Sequence, residues 1–173
     1  MHTDTRTTTD HERADLLETL AEHREFLDRT VRGLTDEQAG MRPTASELCL
    51  GGIVKHVTLM EESWTDFIVN GPGAIGPADE AAYEAHAAGF DMAGASLADL
   101  VARYEVVARR TDELVSSLST LDDSHPLPEA PWFEAGARWT ARRVLLHVIA
   151  ETAQHAGHAD IIRETIDGSK TMG

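Results

Sequence analysis

An all-α fold, a four-helix bundle, is what this chain predicts, and three observations carry the expectation. Four stretches repeat apolar residues three or four apart, the period of a helix with one buried face. Residues that start and stop helices bracket those stretches. No run of any length alternates apolar and polar residues as a half-buried strand does. At 173 residues the chain is most simply one domain, long enough to bury a core.

Residues 1–10, MHTDTRTTTD, are polar and are expected to form a disordered N-terminal tail. From His11 to Gly33, Leu16, Leu20, Leu27 and Val31 recur at helical spacing, flanked by Leu17 and Phe26. Arg13, Asp15, Glu18, Glu22, Glu25 and Arg29 supply the wet face, and Gly33 is a stop. Thr35 followed by Gln38 reads as a capping box for one short helical turn. Pro43, Thr44 and Ser46 make a connector.

The second long helix is predicted from Leu48 or Gly52 to Asn70, ended by Gly71-Pro72. Ile53, Val57, Met60, Trp64, Phe67 and Ile68 form its apolar side, with His56 beside them. Gly51 and Gly52 either weaken the helix start or let another segment pack closely there. Residues 71–95, rich in Gly, Ala and Pro, are too long for a tight turn and suit a crossover between helices two and three. A short helix is expected over Ala78–Ala88 within it.

Ser96 and Asp99 open the third helix, whose stripe of Leu97, Leu100, Val101, Tyr104, Val107, Leu114, Val115 and Leu118 runs to about Leu121. A loop from Asp122 to Arg138 carries three prolines, then Trp132 and Phe133, which pack against the end of the bundle or wall a pocket mouth. Thr140 is an N-cap for the last helix and Gly168 its C-terminal stop. The folded body is expected over residues 11–168, with a polar C-terminal tail at 169–173.

Composition narrows the function classes. A net charge of −15, with Lys55 and Lys170 the only lysines, disfavours nucleic acid and anionic membrane surfaces as partners. No apolar run approaches the roughly 20 residues that span a bilayer, and the leading segment lacks the core of a signal peptide, so the cytoplasm is the expected compartment. The single cysteine, Cys49, excludes an intrachain disulfide and any multi-cysteine zinc site. Its apolar setting, LCLGG, reads as a buried thiol and not a nucleophile. H-E-x-x-H, G-x-S-x-G and the P-loop are all absent.

The last helix carries the chemistry. Val144, Val148, Glu151, His155, His158 and Ile162 fall on one face, apolar at both ends with a carboxylate and two imidazoles between. Charges on a core-facing stripe are costly unless paired, and a metal ion is a common partner for this set. Glu151 and His155 are one turn apart, and His56 is the comparable residue on another helix. Two nitrogens and one carboxylate oxygen leave positions for water, as in an open catalytic-type site. Zinc is the first expectation; iron or nickel suit the same donors. A solvated polar stripe or a buried hydrogen-bond network is the alternative. His2, His11, His23, His86 and His125 are expected at the surface.

GGIVKHVTLMEESW in the second helix, followed by LLHVIAETAQHAGHADIIRETIDG in the last, resembles the DinB-like (YfiT-like) metalloenzyme superfamily across essentially the whole chain. It is most similar to the actinobacterial branch of mycothiol-dependent S-transferases and the mycothiol-dependent maleylpyruvate isomerase. The resemblance implies an up-down-down-up four-helix bundle holding a divalent metal, zinc or nickel, through His56, Glu151 and His155. A glutamate at the position of Glu151, where many relatives have histidine, is similar to the isomerase branch. His158 falls where relatives carry a polar residue facing the same cavity, which makes it the candidate catalytic proton carrier, with His147 in reserve.

The implied reaction is S-transfer, conjugating a low-molecular-weight thiol such as mycothiol to an electrophile by way of a metal-bound thiolate. A thiol-dependent isomerase or hydrolase at the same site, or a non-catalytic metal-binding module with a regulatory role, are the alternatives. The expected partners are the small-molecule thiol and its electrophile, for a monomer or a homodimer. Asp160 and Arg163, one turn beyond His158, either contact the thiol or are plain surface charges.

Overall fold

The computed structural model describes residues 5–76, 79, 84, 88–92 and 94–171. It is mostly helical. In order come α1 (Thr5–Val31), a one-turn α2 (Asp36–Ala39), α3 (Leu50–Asn70), α4 (Leu97–Ser117) and α5 (Ala141–Asp167). A 3-10 turn (Gly71–Ala74) follows α3, and a two-stranded antiparallel ribbon, β1 (Ser124–Pro126) with β2 (Arg138–Thr140), precedes α5. Among the described residues no helix is long and apolar enough to cross a membrane.

Local chemistry sets the helix ends. The Thr35 hydroxyl accepts from Gln38 N–H while the Gln38 side chain accepts from Thr35 N–H, the reciprocal capping box. Ser96 accepts from Asp99 N–H to open α4, and Thr140 accepts from Arg143 N–H to open α5. Gly168 closes α5 at φ 79°, in the left-handed region where a side chain is strained.

Two boundaries and one added element differ from expectation. The first helix begins at Thr5 and not at His11, so part of the segment expected as a tail is helical; neither proline nor glycine interrupts it. α4 ends at Ser117, ahead of Leu121. The hydroxyls of Ser116 and Ser117 bond back to the carbonyls of Asp112 and Leu114, and Leu118 turns extended. Leu121 is nevertheless fully buried, which explains why it continued the apolar pattern. The ribbon pairs Ser124 with Thr140, His125 with Trp139 and Pro126 with Arg138, in strands too short for alternation to reveal. The helix expected over Ala78–Ala88 lies almost wholly outside the described residues.

α1 lies along α5, and α3 packs against both α4 and α5. Leu27, Ile53, Val57, Leu100, Ala159 and Ile162 form one part of the core. Leu20, Trp64, Phe67, Val144 and Val148 form a second. The core is not wholly apolar. Glu61 of α3 is fully buried, and Arg24 of α1 donates to both of its carboxylate oxygens. Arg24 also reaches Asp112 Oδ1 on α4 at 2.9 Å, so one guanidinium ties three helices together. Burial opposes the Arg24 charge, but Glu61 and Asp112 outweigh it and hold the guanidinium above its ordinary range.

The two glycines that open α3 serve close packing. A Cβ at Gly52 would lie 1.9 Å from the carbonyl oxygen of Phe90, and one at Gly51 would lie 2.3 Å from Met92 Sδ. Residues 88–92 therefore press directly on the start of the helix. Gly52→Ala should gain about 1 kcal/mol of helix propensity and lose more to a backbone clash that no rotamer relieves. A net loss of about 1–2 kcal/mol in urea unfolding is expected. Equal or greater stability would mean that this segment moves aside freely.

Candidate metal centre

His56 sits in the second turn of α3, on the side that faces α5. Glu151 and His155 sit one turn apart in the middle of α5, between the buried Val148 and Ala159. His56, Glu151 and His155 each offer one donor atom, and these atoms lie within 4.8 Å of one another. Two helices distant in sequence thus converge on one point.

His56 is 7% and His155 8% exposed, so the polar group is no solvated stripe. The Glu151 side chain, at 30%, is the open side. His155 Nε2 stands 3.7 Å from Glu151 Oε2. Two donors that each bind one ion at about 2.1 Å in a tetrahedral arrangement stand roughly 3.4 Å apart, so this spacing fits a shared cation. The donor types fit as well: two imidazoles and a carboxylate suit zinc and other first-row divalent ions.

The imidazoles are held by neighbours. The His56 ring stacks on Phe90, centroids 3.8 Å apart and planes 17° from parallel, while His155 meets His56 edge-on at 4.7 Å. His158 follows on the same face of α5, its ring 5.5 Å from that of His155. It is half-buried, and its Nδ1 is enclosed without a hydrogen-bond partner among the described residues.

His147 lies elsewhere, edge-on to Trp64 at 4.8 Å and to Trp139 at 5.1 Å. Burial, helped by the charge of Arg143, holds its pKa below the usual histidine value, so it is neutral at pH 7. Phe133 packs edge-on against Trp139, whereas Trp132 is largely exposed.

Two residues weighed for contact with a thiol have other work. Arg163 donates to the carbonyls of Thr30 and Arg32, both at 3.0 Å, and to the Asp167 carboxylate, which binds the end of α1 to α5. Asp160 Oδ1 accepts from Thr171 N–H at 2.8 Å. Cys49 is buried in the core at the start of α3. Of the histidines expected at the surface, His11 is exposed and His23 half-buried. His125 Nε2 donates a hydrogen bond to Ile68 O and meets Phe67 edge-on. His2 and His86 lie outside the described residues.

Phe90 and the Arg24–Glu61 pair escaped the reading from sequence. Phe90 carried no periodic pattern. Glu61 did, since it stands four residues after Val57 and seven before Ile68 on the apolar face of α3.

No curated protein matches the chain. The family model described as Mycothiol-S-transferase matches residues 15–168.

Proposed function

We propose, from the premise that this chain belongs to the mycothiol-S-transferase family, that it conjugates a low-molecular-weight thiol of the mycothiol type to a small electrophile. His56, Glu151 and His155 are the metal ligands of that enzyme. One observation carries the reading: three donors from two helices lie within 4.8 Å of each other, in a chain whose only cysteine is buried in the core. The reaction needs a thiolate, and the protein has no accessible thiol of its own to offer.

A divalent cation held by these residues, zinc by the chemistry of the donors, supplies the positive charge that favours the deprotonated form of a thiol. The chain's own residues do the rest. His56 and His155 present ring nitrogens from buried positions, and Glu151 adds a carboxylate. Phe90 covers the His56 side, so small molecules approach from the exposed side at Glu151.

His158 is the residue assigned to take up the proton that the thiol loses, because its ring stands next to His155 and its Nδ1 carries no hydrogen bond among the described residues. His147, neutral but seated between two indoles, is the reserve. In the same reading the four long helices have the family's up-down-down-up bundle order, and the enzyme works in the cytoplasm.

The test is turnover of a chloronitrobenzene by zinc-loaded protein with mycothiol, glutathione, cysteine and coenzyme A in parallel. Conjugation with mycothiol, and little with the others, is expected. Absence of turnover with every thiol, in protein that has retained zinc, would sink the transferase reading in favour of a binding module.

A further inference from the structure

Residues 88–92, ahead of α4, are pinned beside the candidate metal centre by a set of contacts from one face of α3. Gly52 lets the Phe90 carbonyl approach where a Cβ would sit 1.9 Å away. One turn on, Lys55 Nζ donates to the carbonyls of Ala88 at 3.0 Å and Asp91 at 2.9 Å. The backbone at Gly89 runs beside the His56 ring, where a Cβ would stand in ordinary contact 3.9 Å from His56 Nδ1. These contacts set the Phe90 ring flat against His56 at 3.8 Å, and 5.6 Å from His155.

We propose that Phe90 is a positioning residue for the metal centre, locking the His56 imidazole in the orientation that faces Glu151 and His155, and that Lys55 holds Phe90 there. The inference rests on the ligand assignment above and deepens it. An imidazole on a helix surface can turn about two side-chain bonds, and orientations that aim its nitrogens away must be abandoned before it can bind a shared ion. A flat ring stacked on one face and the His155 ring beside its edge leave His56 little freedom to turn. The same ring excludes water from one side of the site, and the apolar shell of a metal site controls solvent access and local polarity.

Three variants of the full chain test this: Phe90→Leu, Phe90→Tyr and Lys55→Met. The first readout needs no metal. In proton spectra of the metal-free protein, the His56 ring protons should be shifted upfield by the stacked ring in the wild type and in Phe90→Tyr, and should lose that shift in Phe90→Leu. The second is zinc affinity by competition with a chelator. Phe90→Leu should weaken binding by about 10-fold, the lower end of the range for groups that orient metal ligands, and Phe90→Tyr should restore it. Lys55→Met should move in the same direction as Phe90→Leu.

Wild-type zinc affinity in Phe90→Leu overturns the positioning role and leaves the ligand set standing. Equal weakening in Phe90→Leu and Phe90→Tyr also overturns it, because a flat ring would then not be what matters. A wild-type protein that binds no zinc overturns both the ligand assignment and this inference.

Discussion

His155→Ala should lose tight zinc binding, the largest functional effect expected from any single substitution in this chain. His155 is the donor common to both geometric relations at the site: it stands 3.7 Å from Glu151 and edge-on to His56. Its removal leaves one imidazole and one carboxylate on separate helices. The loss should exceed the roughly 10–100-fold that partners outside the ligand set contribute to a metal site.

Two measurements read it. Metal analysis after exhaustive dialysis should find zinc in the wild type and none in the variant. Zinc at about 100 times its Kd should stabilise the wild type by about 2.7 kcal/mol, and so raise its melting temperature, and should leave His155→Ala unmoved. Metal content equal to wild type in the variant would remove His155 from the ligand set. Comparing melting with and without zinc separates a lost ligand from a misfolded chain, because a metal-free variant that still melts cooperatively has kept its core.

Arg24→Met should cost the most stability, about 3–5 kcal/mol. The loss arises less from the missing attraction than from what remains: Glu61, with no exposed surface, would hold a charge with its guanidinium partner gone. Set against the 5–15 kcal/mol that holds a typical domain together, that is enough to unfold a marginal protein, at roughly physiological temperature. The double variant Arg24→Met, Glu61→Leu should recover most of the loss, since replacing a whole buried pair with apolar groups is often neutral or better. Urea unfolding of the single and double variants decides the matter. A double variant as unstable as Arg24→Met would show that the site needs Arg24 for its contact with Asp112, and not for neutralising Glu61.

What the sequence made legible was whatever depends on near neighbours. Thr35 and Gln38, Ser96 and Asp99, Thr140 and Arg143 are three residues apart, so a cap declares itself without knowledge of the fold. The proximity of Glu151 and His155 follows from one helical turn, and His56 could be paired with them because few polar residues border the other apolar faces. The glycines at 51 and 52 left two readings open, and only the position of Phe90, reached across a connection without periodicity, chooses between them. Glu61 stands out as a carboxylate in the apolar stripe of α3, but Arg24, 37 residues earlier, is unremarkable in its own helix, so nothing local pairs the two. The ribbon was hidden by its brevity, since three residues hold barely one alternation.

The first and last helices are joined at both ends, by Arg142 to Glu12 across 130 residues and by Arg163 to Thr30 across 133. A chain still emerging from the ribosome therefore cannot close its interior until α5 has been made. Two of the three donors arrive on that same helix, so His56 waits, already synthesised, for partners that come last. A polypeptide cut short before Ala141 should therefore lack the α5 side of the core together with Glu151 and His155.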